Sequence, residues 1–130
     1  MNELPVILLV EDEEALHDLL KDALTDAGFD LTVSASADEA LTLLTSGVVN
    51  YRALVTDVNL NGPIDGWDLA RRVREIDPAF PVVYITGEAA DIWAAQGVPN
   101  SILVKKPFAP AQLVTAISQL LNVGSAHPPL

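Results

Sequence analysis

Ala53-Leu54-Val55-Thr56-Asp57-Val58-Asn59 is a short apolar run that ends in a single carboxylate, with an Asn-Gly turn close behind it at Asn61-Gly62. A run of this length, bounded by turn signals, reads as a buried strand. A residue at the carboxyl end of such a strand emerges at the sheet edge where open α/β folds bind ligands. Asp57 is therefore the first candidate for a reactive group, and the rest of the chain is read for what surrounds it.

Upstream, Pro5-Val6-Ile7-Leu8-Leu9-Val10 is apolar on both faces and predicts a central strand. It stops at Glu11-Asp12, where Asp12 is placed to cap the next helix. Ala15, Leu16, Leu19, Leu20, Ala23, Leu24 and Ala27 recur at helical spacing, with Glu14, Asp18, Lys21, Asp22 and Asp26 on the other face. His17 reads as an exposed helix residue. Gly28 has the position of a C′ terminator. Phe29 to Ser34 predicts a shorter, more polar strand closer to an edge. Ser36-Ala37-Asp38-Glu39 is a capping-box pattern ahead of Ala40, Leu41 and Leu44, in a helix that closes near Gly47.

Tyr51 to Thr56 forms the strand that delivers Asp57, and the loop Val58 to Asp65 leads into a third helix. There Trp67, Ala70, Val73 and Ile76 face inward. Arg71, Arg72, Arg74 and Glu75 form a solvated face, and Pro78 ends the helix. Pro81 starts a fourth strand, Val82 to Ile85, ending at Thr86-Gly87. Ala89 to Gln96 allows a short helix before Gly97, with Trp93 inward or half exposed. Ser101 to Val104 is the fifth strand, followed by Lys105-Lys106-Pro107-Phe108. Pro110 opens the last helix, whose buried stripe is Leu113, Val114, Ile117, Leu120 and Leu121. Gly124 to Leu130 lacks apolar periodicity. The expected organisation is one domain over 4–122 and a disordered tail over 123–130.

Strands alternating with helices predict an α/β fold with a parallel sheet, right-handed crossovers and helices on both faces. Composition agrees. The chain has 130 residues, 50% of them hydrophobic with few aromatics, so the core rests on Leu, Val, Ile and Ala. No apolar run reaches the roughly 18 residues of a membrane span, and no basic segment precedes the first strand as a signal peptide would require. Cysteine is absent, which removes disulfides and thiolate metal sites and suits a cytoplasmic location. The net charge of -11, with seven Lys and Arg, disfavours direct binding to nucleic acid and makes a bound cation easier to accommodate.

In a parallel sheet the carboxyl ends of the strands share one edge. Glu11, Asp12, Asp57, Thr86 and Lys106 should therefore converge, although they are far apart in sequence. Three like charges there are costly unless a cation enters. Hard oxygen ligands suit Mg²⁺, and no His or Cys offers a softer metal a home. Lys106 can pair with Asp57 and later with a phosphoryl oxygen, and Thr86 supplies a hydroxyl. An Asp carboxylate is a credible phosphoryl acceptor when a metal and a lysine offset the charge on the transferred group.

These residues carry a resemblance. Ile7-Leu8-Leu9-Val10-Glu11-Asp12-Glu13, the Asp57 strand end, Asp65-Gly66, Thr86-Gly87 and Lys106-Pro107-Phe108 are together similar to the receiver domain of two-component response regulators, the CheY-like superfamily, from Val6 to Leu121. The resemblance implies a flavodoxin-like sheet in the order 2-1-3-4-5. It implies Asp57 phosphorylated by a sensor histidine kinase or a histidine phosphotransfer protein in a phosphorelay. Asp12 and Asp57 would be direct Mg²⁺ ligands, Glu11 would act through water, and the carbonyl of Asn59 would be a further ligand. Thr86 and Lys106 would be the switch hydroxyl and the conserved-position lysine, with a cis Lys106–Pro107 bond. Slow loss of the phosphoryl group to metal-assisted water is also implied, without independent turnover of a metabolite. A downstream protein partner would follow, with a homodimer compatible and neither membrane nor nucleic acid contacted directly.

Three departures bear on the signal. Leu103 stands where many receivers have an aromatic, the fourth helix is short, and the loop from Asp57 to Gly66 is about one residue longer than the commonest form. Leu103 and the short fourth helix motivate an alternative, a receiver-like module that binds protein independently of phosphorylation. A phosphatase or other small hydrolase fits less well, because neither His17 nor His127 is expected near a strand end. A nucleotide binder lacks the Gly-rich loop after the first strand.

Overall fold

The computed structural model describes residues 4–87 and 90–125. Its elements run β1 (Val6–Val10), α1 (Glu14–Asp26), β2 (Asp30–Ser34), α2 (Ala37–Ser46), β3 (Tyr51–Asp57), α3 (Gly66–Ile76), β4 (Val82–Thr86), α4 (Ala90–Gln96), β5 (Ile102–Lys105) and α5 (Pro110–Ser125). All four strand pairings are parallel and the order is β2-β1-β3-β4-β5. This is the flavodoxin-like arrangement. The more polar β2 lies at an edge, because its residues tolerate one open side.

Alternation along each strand divides the interior into two cores. Ile7 and Leu9 of β1, Ala53 and Val55 of β3, and Val83 and Ile85 of β4 pack with Leu20 and Leu24 of α1 and Leu113 and Ile117 of α5. Leu8, Val10, Leu54, Val82 and Tyr84 point the other way, toward Ala40 of α2 and Trp67, Leu69, Ala70 and Val73 of α3. Strands covered on both sides read as unbroken apolar runs, which is the pattern of β1, β3 and β4.

Local signals set most of the ends. Ser36 Oγ accepts from the Glu39 N–H at 3.2 Å, while Glu39 Oε1 accepts from the Ala35 N–H at 3.3 Å. The reciprocal half of the capping box thus lands one residue upstream of the cap. Gly47 closes α2 at φ 72°. Asp65 caps α3 by accepting from the Asp68 N–H at 2.9 Å, and Asp77 precedes the Pro78 stop.

Several expectations are corrected. Asp12 does not cap α1; the cap position is Glu13, with no side-chain cap bond. On α1 the buried stripe is narrower than its periodicity suggested, since Ala15, Leu19 and Ala27 are exposed; the helix packs chiefly against β2 and α5. Ile76 is 63% exposed at the end of α3, lining an open groove of about 240 Å³ with Leu44, Val73 and Phe80. Arg74 is not part of a solvated face. Its guanidinium donates to the carbonyls of Phe80 at 2.6 Å, Pro99 at 2.6 Å and Asn100 at 3.3 Å, tying α3 to the approach to β4 and the turn before β5. Helix α5 continues to Ser125, past position 123, where the tail was expected to begin. Residues 126–130, including His127, lie outside the described residues, as does Ala89 at the expected start of α4.

Candidate functional site

The register brings the polar strand ends together. Val10 pairs with Thr56, so Glu11-Asp12 and Asp57 leave β1 and β3 side by side. Asp57 pairs with Ile85, and Thr86 with Lys105, which sets Thr86 and Lys106 along the same edge. The Lys106 N–H donates to the Thr86 carbonyl at 2.8 Å, and the Lys106–Pro107 peptide is cis, as the resemblance implied. Thr86 is buried, with 1% exposure.

Glu11, Asp12 and Asp57 each present a carboxylate oxygen within 4.8 Å of the other two. Asp57 is 5% exposed, and both of its oxygens are held. Oδ1 accepts from the Asn59 N–H at 2.9 Å, and Oδ2 accepts from Lys106 Nζ at 2.8 Å. The plane of this carboxylate is thereby set before any ligand arrives. Two glycines of the following loop matter to that geometry. Gly62 reverses the chain at φ 109°, a conformation that costs glycine nothing sterically. Gly66 lies so close to β3 that a Cβ on it would overlap the Asp57 carbonyl oxygen, and its N–H donates to the Val58 carbonyl at 2.9 Å.

Among the described residues, Glu11 is the most perturbed group. It is fully buried, and Oε2 accepts from the Glu13 N–H at 3.1 Å. Oε1 has no hydrogen-bond partner; Lys106 Nζ stands 3.4 Å away, an ion pair without hydrogen-bond geometry. Burial, and then the charge of Asp57, push the Glu11 carboxyl up to about 7. Burial also works against the Lys106 ammonium, but the hydrogen bond and charge of Asp57, with the charge of Glu11, outweigh it and hold Lys106 above its ordinary value.

An orphaned buried carboxylate oxygen beside two further carboxylates fits a divalent cation. One lysine cannot neutralise three acids. The donors are hard oxygens, which suits Mg²⁺ or a similar ion better than a thiophilic metal.

The sequence matches the response regulator receiver domain family over residues 7–118. The chain belongs to that family. It is 33% identical over 121 residues to the transcriptional regulatory protein TrcR of Mycobacterium tuberculosis, covering 92% of this chain and 46% of that protein. It is 30% identical over 116 residues to the C4-dicarboxylate transport transcriptional regulatory protein DctD of Rhizobium meliloti, covering 88% of this chain and 25% of that protein. The receiver thus corresponds to less than half the length of either regulator. Among solved structures, a response regulator receiver protein from Sinorhizobium medicae superposes with a TM-score of 0.87 at 50% identity, covering 92% of this chain and 96% of that one. The chain is accordingly a phosphoacceptor receiver domain of two-component signalling. Its Glu11/Asp12/Asp57 cluster with Lys106 is the arrangement typical of such domains.

Three neighbours of the site escaped the sequence reading. His17 is half-buried rather than exposed, and does reach a strand end. Its Nε2 lies 2.6 Å from the Glu11 carbonyl, which can only accept, so the proton sits on Nε2. Glu13 Oε1 is 3.6 Å from Lys106 Nζ. Asn61 Nδ2 donates to Asp12 Oδ2 at 2.9 Å, across forty-nine residues of sequence. The i,i+6 offset of His17 and the loop position of Asn61 have no periodicity that would announce them.

Proposed function

We propose that this receiver accepts a phosphoryl group onto Asp57 from a phosphohistidine on a sensor kinase or histidine phosphotransfer protein, with Mg²⁺ as the cation. The observation that carries the reading is the Asp57 carboxylate, buried and oriented by Asn59 and Lys106 beside two further acids. An Asp57 oxygen forms the new bond to phosphorus as the P–N bond to the donor imidazole breaks, and the imidazole departs with its electron pair and takes up a proton. Lys106 exchanges its partner, from Asp57 Oδ2 to an oxygen of the arriving group. Thr86 supplies a hydroxyl donor on the same edge. Bound at Glu11, Asp12, Asp57 and the Asn59 carbonyl, Mg²⁺ would offset charge on the phosphoryl oxygens.

The wider setting belongs to the same reading. Family membership and the composition support a cytoplasmic domain that passes its state on by protein contacts. Among the described residues no helix is long and apolar enough to cross a membrane.

Incubation with a small phosphoryl donor and Mg²⁺, followed by intact mass, tests the assignment. Wild type should gain one phosphoryl group that Asp57→Asn does not. Equal modification of both proteins would remove Asp57 from the role. A domain that stays unmodified with every donor, yet binds its partner, would instead be a phosphorylation-independent module.

A further inference from the structure

The three carboxylates of the cation site are not held alike. Glu11 is fully buried and tied to the Glu13 N–H. Asp57 is fixed through both oxygens. Asp12 is exposed, lies between β1 and α1, and caps nothing. Among the described residues, the hydrogen bond to its side chain is the one from Asn61.

Asn61 is brought there by the long loop after Asp57. Leu60 and Ile64 anchor that loop with 9% exposure each, Gly62 reverses it, and Gly66 closes it onto Val58. Asn61 itself has no positive φ, so other side chains fit its backbone. Its role is carried by the amide.

We propose that Asn61 is a positioning residue for the cation site, its side-chain amide holding the Asp12 carboxylate in the orientation that ligates the metal. The inference rests on the cation reading above. An exposed aspartate otherwise samples several rotamers, and ordering it must be supplied from the binding free energy. A neutral N–H donor to one oxygen removes that cost, leaves the carboxylate charged and leaves the other oxygen open. Hydrogen bonds to ligating carboxylates act this way, and their loss typically weakens metal binding about 10–100-fold.

The test uses MgCl₂ alone, without a phosphoryl donor, followed by backbone amide shifts in the wild type, Asn61→Ala and Asn61→Gln. Asn61→Ala should bind Mg²⁺ about tenfold more weakly, with a metal-free thermal midpoint within about 2 °C of wild type, as for an exposed loop position. Asn61→Gln, which returns the amide one methylene further out, should recover part of the affinity. Equal or tighter binding by Asn61→Ala overturns the inference and leaves the cation site standing. A midpoint loss beyond about 5 °C, with no recovery by glutamine, assigns the effect to the loop and overturns it as well. No Mg²⁺ response in wild type overturns the cation reading itself, and this inference with it.

Discussion

Lys106 Nζ lies 2.8 Å from Asp57 Oδ2 and 3.4 Å from Glu11 Oε1, so one ammonium bridges carboxylates delivered by two different strands. It is the positive charge that the metal-free site already contains, and it competes with an added cation for the same oxygens. Lys106→Met should therefore tighten Mg²⁺ binding, roughly threefold, while slowing phosphoryl acceptance by about tenfold or more, because the arriving group loses its lysine. A magnesium titration and a time course of intact mass read the two effects separately. Weaker Mg²⁺ binding in the variant would contradict the competition.

The raised Glu11 carboxyl makes the site pH-dependent near neutrality. Its folded value of about 7 exceeds the ordinary 4.5, so between those values the folded chain holds a proton that the unfolded chain has lost. Metal-free stability should then fall as pH rises through this window, by on the order of 1–3 kcal/mol. The stabilising contribution of the protonated form is gone above about 7. Mg²⁺ affinity should move the opposite way, increasing from pH 6 to 8 as the competing proton leaves. Glu11→Gln should flatten this part of the stability profile, measured by urea unfolding across that range.

Gly66 joins fold and site through a single missing side chain. Any Cβ there meets the backbone of Asp57 and Val58, and backbone cannot step aside as a flexible side chain can. Gly66→Ala should cost about 2–3 kcal/mol in unfolding and shift the amide resonances of Asp57 and Asn59. Stability within about 0.5 kcal/mol of wild type would mean that the loop yields easily.

Tyr84 supplies a separate test in the α3-side core. It is fully buried, tilted against Trp67 at a centroid separation of 4.6 Å, and its hydroxyl accepts from the Val98 N–H at 3.0 Å. Across the ladder it pairs with Leu103, the position where an aromatic was expected from the resemblance. Tyr84→Phe keeps the ring but strands a buried N–H. It should lower stability by about 1–3 kcal/mol, seen as a reduced urea midpoint with an unchanged slope.

Much of this molecule is legible in its sequence. Unbroken apolar runs such as Ile7-Leu8-Leu9-Val10 admit little besides a strand covered on both faces, and their alternation with amphipathic helices selects a parallel sheet. The strand ends could be named because the carboxyl ends of parallel strands share an edge, which places Glu11, Asp12, Asp57, Thr86 and Lys106 together whatever their separation in sequence. Ser36, Gly47 and Pro78 marked helix ends through chemistry that is local to the chain.

The tertiary structure decided what depends on contacts between segments. Periodicity ranks a face by composition but cannot say how far a neighbour covers it; Leu19 and Ile76 were assigned inward and stand exposed. Arg74 looked solvated until the carbonyls of Pro99 and Asn100 arrived from another element. The same holds within the site. Sequence placed three acids and a lysine on one edge. Only the packed chain determined that Lys106 spans Asp57 and Glu11, that Glu11 Oε1 is buried without a hydrogen bond, and that Asn61 rather than a helix end holds Asp12. Such pairings depend on distance and desolvation, which arise when the chain closes on itself.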